Sequence, residues 1–443
     1  MATTAEKIAG NLNFGAFGKA TELKNRLLFT LGALIVFRLG TFLPIPGINP
    51  ISLQQFFEQQ SSGILGIFDT FSGGALGRMG IFALGVMPYI SSSIIMTLMQ
   101  GSIPYMKSLK EQGSKGQRQL RQITRYVTVL IAALQGYGVS IGLESMQTTY
   151  GNIVIDPGLF FRMTTVVTLV GGTVFLMWLG EQISSRGVGN GISLIITAGI
   201  LANLPSAFVS TLQLGRTGEL STVFILGILI LVLALIIFIV FIEKGQRRLV
   251  VQYPKRQVGN KVYGGQSSHL PLKINTAGVI PAIFASALLL LPMTFTNFGV
   301  SDSETFIDFS SLFAQGKPLY MLLYAFGIIF FSFFYTSIVF NPKETAENLR
   351  KHGGYVPGVR PGERTAFYIE DILTRLTTIG AAYLTLVCLM PEFLISQYPI
   401  PFYLGGTSVL IVVVVAMDTV SQVQTRLMSQ QYESLIRKTK FGK

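Results

Sequence analysis

The stretch "GILGIFDTFSGGALGRMGIFALGVMPYI", residues 63–90, contains two apolar segments separated by the glycine pair Gly73-Gly74. The first segment, residues 63–71, has roughly half of the ~20 residues that an α-helix needs to cross the hydrocarbon core of a membrane. The second begins near Leu76 and is long enough to cross it. The stretch therefore predicts a short re-entrant helix, at about residues 63–74, directly before a membrane-spanning helix.

The composition of the whole chain is that of a membrane protein. Of its 443 residues, 50% are hydrophobic and only 12% are charged, and the mean hydropathy is +0.54. A soluble domain carries about 25% charged residues. The polar N-terminus lacks the apolar core of a signal peptide, so we expect the first span to be retained. The single cysteine, Cys388, excludes a disulfide framework.

The apolar blocks predict ten membrane-spanning helices, at about residues 24–43, 76–100, 122–143, 159–179, 188–208, 219–242, 274–297, 318–341, 373–394 and 400–421. The connecting segments alternate strictly in charge. One set holds 29 of the 34 Lys and Arg residues, whereas the opposite set holds four. By the positive-inside rule, both termini are cytoplasmic, as are the long loops 243–273 and 341–372 and the basic tail 422–443.

Two pairs of segments resemble each other across the chain. "GVMPYISSS" (85–93) matches "GVIPAIFAS" (278–286), and "GISLII" (191–196) matches "GTSVLI" (406–411). Each pair is five spans apart, and because five is odd the two halves face opposite ways. Chance similarity between apolar helices is the alternative, and the shared offset argues against it. We therefore predict an inverted repeat of two five-helix halves, residues 1–208 and 209–421.

The repeat equates branched aliphatic residues at matching depths on four helices. The matched pairs are Val86 with Val279, Ile90 with Ile283, and Ile196 with Ile411. For any one of them, packing in the core or contact with lipid is the alternative reading. The matched prolines Pro88 and Pro281 are expected to loosen their helices, since each removes a backbone hydrogen bond.

An enzyme is not favoured. His269 and His352 lie in basic loops, no span carries a carboxylate pair, and no Cys/His cluster suits a metal, so we expect no cofactor. Asp418, near the end of the last span, is assigned to the membrane interface. A secondary transporter is the alternative, because inverted repeats are typical of that class. Yet the midplane is almost free of ionisable groups, which suits a substrate without fixed chemistry.

The two long basic loops suggest a docking surface. "QRRLVVQY" alternates as a strand or hairpin does, and "YVPGVRPGE" is rich in turn residues. Arginines projecting from ordered loops suit an acidic partner, ribosomal RNA being one candidate. The alternative is that these charges only set topology and contact lipid headgroups.

Seven motifs together resemble the bacterial SecY family, the central channel subunits of the Sec translocon: "FSGGALGR", "GVMPYISSSI", "EKGQRRLVVQY", "SSHLPLKIN", "AGVIPAIFAS", "FNPKETAENLRKHGGYVPGVRPGE" and "GGTSVLIVVVV". The resemblance implies an all-α polytopic protein of the bacterial cytoplasmic (inner) membrane, with ten spans around an hourglass pore. It implies a channel that translocates unfolded secretory polypeptides and releases hydrophobic segments sideways into lipid. An inverted-repeat transporter of a small solute remains the alternative.

The resemblance also assigns site residues. The pore ring is Val86, Ile90, Ile192, Ile196, Ile283 and Ile411. The plug is Ile64, Leu65, Ile67, Phe68, Phe71, Ser72, Gly73 and Gly74. The lateral gate is Pro88, Ser91, Ser92, Gln135, Asn275 and Pro281, with Gln135 and Asn275 included by position alone. Hydrogen bonding within the helix bundle is the alternative role for those two.

For partner docking, the resemblance implies Arg247, Arg248, Arg256, Lys261 and Arg360. Where the family has a further basic pair, this chain has Asn260-Lys261, with one charge fewer. The implied partners are the motor ATPase SecA, the ribosome, the small membrane subunits SecE and SecG, nascent and secretory polypeptides, and anionic lipids. No cofactor is implied.

Overall fold

The computed structural model describes residues 21–54, 69–145, 147–148, 151–217, 221–253, 256–258, 261–263, 267–297, 317–397 and 406–440. Long α-helices dominate these residues. The elements are, in chain order, α1 (Thr21–Gly40), α2 (Met87–Ser102), α3 (Pro104–Glu111), α4 (Ser114–Ser145), β1 (Gln147–Thr148), β2 (Gly151–Asn152), α5 (Leu159–Arg186), α6 (Gly191–Thr217), α7 (Thr222–Lys244), β3 (Gln246–Gln252), β4 (Arg256–Val258), β5 (Lys261–Tyr263), β6 (Ser267–Lys273), α8 (Ile280–Asn297), α9 (Pro318–Val339), α10 (Pro342–Lys351), α11 (Glu363–Gln397) and α12 (Gly406–Lys440). Residues 50–54 and 69–72 add helical turns.

Within the described ranges, seven helices are long and apolar enough to cross a membrane: α4, α5, α6, α7, α9, α11 and α12. The chain is therefore a mostly helical, multi-pass membrane protein. The other three predicted spans correspond to α1, which carries four charged residues, to α2, which has 16 residues, and to α8. The count of ten spans stays a prediction.

The prediction for the second span is wrong over its first eleven residues, 76–86. Helix α2 begins at Met87, and residues 73–86 form turns instead. Backbone bonds to another segment replace the helical ones here: Ile45 N donates to Met79 O at 2.9 Å, and Ile81 N donates to Leu43 O at 2.9 Å. Positive φ at Gly85 is a further departure from helical geometry.

The expectation that Pro88 and Pro281 loosen their helices is also wrong. Each is the second residue of its helix, α2 and α8 respectively. In the first turn the backbone N–H has no helical acceptor, so its absence costs nothing and the fixed φ favours the helical conformation. These prolines therefore start helices.

The matched motifs have the same local structure in both halves of the sequence. Gly85 and Gly278 both have positive φ, at +56° and +65°. The valine that follows each glycine accepts the first helical hydrogen bond: Ile90 N to Val86 O at 3.1 Å, and Ile283 N to Val279 O at 3.2 Å. This shared geometry supports the internal repeat.

Close helix contacts at glycine extend the repeat beyond the matched motifs. A β-carbon at Gly172 of α5 would overlap the carbonyl oxygen of Ile81, and one at Gly380 of α11 would lie 3.2 Å from that of Ile274. Ile81 and Ile274 each lie four residues before the repeat glycine. The sequence similarity alone did not reveal this correspondence.

The starts of α6 and α12 are packed alike as well. A β-carbon at Gly191 would overlap the carbonyl oxygen of Gly180, on the preceding helix α5. One at Gly406 would overlap the carbonyl oxygen of Val387, on the preceding helix α11. Both glycines therefore permit backbone contact that any side chain would prevent.

The chain divides into two compact units. The first comprises residues 1–92, 124–206 and 415–443, and the second comprises residues 93–123 and 207–414. The predicted halves, 1–208 and 209–421, were defined by the sequence repeat and stay a prediction. In the first unit, Leu23, Val188 and Leu427 form a buried cluster that joins α1 and α12.

The predicted strand in the first long loop is confirmed. Strand β3 pairs with β6 in antiparallel register, from Gln246 opposite Lys273 to Gln252 opposite Ser267. One face of this hairpin is apolar, and its buried residues pack against α11 in a cluster of Leu249, Leu272, Ile369, Ile372, Leu373 and Leu376. This packing anchors the loop to a membrane helix within the second unit.

Candidate functional site

The predicted plug is described only at its C-terminal end. Ile64, Leu65, Ile67 and Phe68 lie outside the described residues. Residues 69–72 form a helical turn, after which Gly73 N donates to Thr70 O at 3.3 Å and Gly74 N donates to Asp69 O at 2.8 Å. With φ of +73° and +82° at the two glycines, this is a Schellman motif. Gly73-Gly74 therefore end the plug helix.

The end of the plug is seated against α6. A β-carbon at Gly199 would lie 2.9 Å from Phe71 O, and one at Gly73 would lie 3.1 Å from the Cα atom of Gly199. Phe71 and Ser72 are buried. Two glycines thus let the backbones touch.

Charged side chains surround the same turn. Arg38 of α1 donates from Nη1 to Gly73 O at 2.5 Å, and Asp69 Oδ1 accepts from Gly77 N at 2.7 Å. Burial raises the pKa of the Asp69 carboxyl, an effect opposed by the Gly77 N–H and by Arg78. Arg38 and Asp69 were not among the site residues predicted from the sequence. A cation inside an apolar span was the available signal.

The six pore-ring residues lie at or near helix starts. Val86 immediately precedes α2, and Ile90 lies in the first turn of α2. The others are Ile192 and Ile196 at the start of α6, Ile283 at the start of α8, and Ile411 near the start of α12. Four of them are buried, whereas Ile192 and Ile283 are partly exposed. Convergence of the six on a common centre stays a prediction.

The candidates for the lateral gate on the first half of the sequence, and Pro281, are buried or half-buried. Ser92 Oγ donates to Thr124 O at 2.7 Å, while Ser91, Pro88 and Pro281 are buried and Gln135 is half-buried. The lateral gate stays a prediction.

Asn275 has a well-defined structural environment. Its Nδ2 donates to Glu243 Oε1 at 2.7 Å and to Gly278 O at 3.1 Å, and its Oδ1 accepts from Gly278 N at 3.1 Å. The side chain is 4% exposed. These bonds support the alternative, hydrogen bonding within the bundle, and they hold the turn that contains the positive φ of Gly278. The gate role of Asn275 stays a prediction.

The C-terminal end of α2 and helix α3 contact α9 within the second unit. A β-carbon at Gly101 would lie 3.4 Å from Ile338 and 3.6 Å from Phe334. Lys110 Nζ donates to Ile338 O at 2.9 Å, at the C-terminal end of α9. Because helix C-termini carry unpaired carbonyls, a lysine ammonium is well placed there.

The candidate docking residues lie in the two long loops. Arg247 and Arg248 are exposed on β3. Arg256 and Lys261 are on the paired strands β4 and β5, and their side chains are not described. Arg360 is exposed before α11, and its carbonyl accepts from Thr365 Oγ1 at 2.9 Å. That bond orders the turn from which the Arg360 side chain projects.

Among the described residues, no group of three or more His, Cys, Asp or Glu could hold a metal ion.

Known proteins similar to this chain share both its sequence and its fold. The SecY family model matches residues 80–420. The protein translocase subunit SecY of Rickettsia typhi is 54% identical over 421 residues, which is 95% of this chain and 97% of that protein. The same subunit of Escherichia coli is 55% identical over 425 residues, or 96% of each.

Two solved structures share the fold at low sequence identity. One, from a study of how the SecY plug domain stabilises the closed translocation channel, has a TM-score of 0.62 at 18% identity and covers 90% of this chain and 92% of that one. The other, Sec61 in a canine ribosome–channel complex, has a TM-score of 0.59 at 15% identity with the same coverage. Because the family model spans most of the chain, and these relatives are more than half identical over nearly all of it, the chain belongs to the SecY family.

Proposed function

We propose that the chain forms a protein-conducting channel that translocates unfolded secretory polypeptides across the bacterial cytoplasmic membrane. The observation that carries this proposal is the 54–55% identity, over nearly the full length of both chains, to protein translocase subunits. A small-solute transporter is not favoured, because both of these relatives are named as protein translocase subunits.

In the resting state, two apolar barriers close the channel. The pore-ring aliphatics form the first, since aliphatic constrictions tend to exclude water and ions. The plug forms the second, with its end seated on Gly199. Full burial of one apolar side chain contributes about 1.5–3 kcal/mol, so a few such contacts keep the plug seated and still yield to an inserting polypeptide.

A side exit between α2–α4 and α8–α9 releases hydrophobic segments into lipid. A nascent stretch of about 20 Leu-like residues gains on the order of 6–12 kcal/mol from entering lipid, whereas a polar stretch gains nothing. Partition between pore and lipid then separates membrane segments from secreted ones.

Partners bind the cytoplasmic side. Arg247, Arg248, Arg256, Lys261 and Arg360 offer positive charge to the motor ATPase SecA and, alternately, to ribosomal RNA. Sec61 in a ribosome complex shares the fold, which supports the ribosome as a partner. We infer that SecE and SecG complete the complex, that both termini are cytoplasmic, and that anionic lipids contact the remaining basic residues.

The test is reconstitution of the full chain, with SecE and SecG, into sealed vesicles. With SecA and ATP, a secretory polypeptide added outside should become resistant to protease, and omission of ATP should abolish that protection. Saturable uptake of a small solute without passage of polypeptide would overturn the proposal in favour of a transporter.

A further inference from the structure

Arg38 makes an unusual contact for a residue near the end of an apolar helix. Its guanidinium donates to the carbonyl of Gly73, the residue at which the plug helix ends. The last carbonyls of a helix lack intrahelical donors, and a cation nearby is favourable. Because the donor is charged, this bond is of the stronger kind.

The neighbouring side chains hold the guanidinium in place. The Cζ atoms of Arg38 and Arg78 lie 4.8 Å and 4.3 Å from the centre of the Phe42 ring. Stacking of both cations on one ring favours a fixed position for each.

The segment that follows the plug, residues 79–81, is attached differently. Backbone hydrogen bonds join residues 79 and 81 to residues 45 and 43, and a β-carbon at Gly80 would lie 2.9 Å from Thr41 O. These bonds can remain while residues 69–74 move away from α6. The Arg38–Gly73 bond cannot, because its acceptor belongs to the moving turn.

We propose that Arg38 is the latch of the plug, a positioning residue whose bond to Gly73 sets how readily a polypeptide displaces the plug. This inference rests on the proposed channel function.

Cysteine labelling tests the latch without requiring translocation. Ser72 is 3% exposed, so Ser72→Cys introduces a thiol that is protected while the plug is seated. The chain's own Cys388 is fully buried and provides the background rate. In vesicles, Arg38→Gln should raise the labelling rate of the introduced cysteine by a water-soluble maleimide about tenfold or more, the value of a hydrogen bond to a charged group.

Arg26→Gln is the matched control, because Arg26 lies on the same helix but pairs with the exposed Glu22. It should leave the rate at that of the parent. Arg38→Lys should be intermediate, since lysine keeps the charge but loses the planar fork. Equal rates for assembled Arg38→Gln and Arg26→Gln would overturn the latch.

Phe42→Leu keeps the inference testable if Arg38→Gln does not assemble. The Phe42 ring is 52% exposed, so its loss is expected to spare the fold while freeing the guanidinium. The labelling rate should rise, and an unchanged rate would count against the latch. The two proposals can fail separately. If the chain with Arg38 intact translocates no polypeptide, but Arg38→Gln still raises the labelling rate, the proposed channel function is wrong and the role of Arg38 in holding the plug is supported.

Discussion

Asp69 carries a carboxylate in a place where charge is costly. Burial raises its pKa above that of the unfolded chain. The ionised form therefore costs stability at neutral pH, and this cost disappears as the pH falls through the folded-state pKa. What the plug turn needs from Asp69 is the oxygen that accepts from Gly77 N.

We predict that Asp69→Asn, which keeps an accepting oxygen without the charge, leaves the plug seated at least as firmly as in the parent. Asp69→Ala removes the acceptor. It should raise the labelling rate of a cysteine in the plug about fivefold, as expected for the loss of one neutral hydrogen bond. The labelling rate of Ser72→Cys measures both. The rates of the parent and of Asp69→Asn should converge as the pH is lowered; a gap that widens would contradict the sign of this pKa shift.

The pore ring makes a second prediction at this scale. Ile90→Asn or Ile283→Asn should make the resting channel conduct ions, because a polar side chain wets an aliphatic constriction. Single-channel recording at rest measures this. Ile95→Asn, on a partly exposed residue of the same helix as Ile90, is the control. Unchanged conductance in the first two variants would remove those positions from the seal.

Asn275 illustrates how one amide supports a turn. Asn275→Asp would place a second carboxylate where the amide now donates to Glu243 at 2.7 Å. We predict a marked fall in Tm of the detergent-solubilised protein, since a buried polar group without its partner costs about 1–3 kcal/mol, and more when charged. Asn190→Asp, on an exposed residue whose oxygen accepts from Ile192 N, should leave Tm nearly unchanged. Equal effects would contradict this account.

At the scale of elements, helix contacts depend on single glycines. Gly171 and Gly172 are adjacent on α5, yet a β-carbon at Gly172 would overlap Ile81 O, whereas one at Gly171 would meet nothing within 4 Å. The two glycines lie on different faces of α5: Gly172 faces the backbone of Ile81, whereas Gly171 faces open space.

We predict that Gly172→Ala destabilises the folded protein by about 1–3 kcal/mol, the usual cost of overpacking. Gly171→Ala should be neutral or stabilising by up to ~1 kcal/mol, because alanine favours the helix. Thermal unfolding in detergent compares the two. Equal Tm values would mean that the contact with Ile81 relaxes at little cost.

The elements also show where sequence reasoning succeeded and failed. The alternation in "QRRLVVQY" predicted a strand correctly, because a half-buried hairpin needs alternate residues on its apolar face. The predicted helix from residue 76 was wrong, because hydropathy identifies a long apolar segment but does not show whether its backbone is helical. There, contacts with residues 43 and 45 replaced helical hydrogen bonds.

At the scale of the whole molecule, a change in the docking loops should abolish export without preventing assembly of the channel. We predict that Arg360→Glu abolishes SecA-driven export while the channel still assembles, because Arg360 is exposed and its backbone is held by Thr365. Protease protection of a secretory polypeptide in vesicles measures export. Arg216→Glu, in a segment predicted to lie on the opposite side of the membrane, is the control. Normal export by Arg360→Glu would refute the docking role.

The amino-acid sequence by itself determined the class of protein, because hydropathy and charge alternation are local properties of the chain. The inverted repeat and the candidate site residues are predictions, made from repeated motifs and from the resemblance to the SecY family. Tertiary structure alone decided where the second span begins and that Arg38 and Gly199 contact the end of the plug. Those features depend on contacts between residues more than 30 positions apart. No local pattern encodes such contacts, since they form only when packed helices bring distant backbones together.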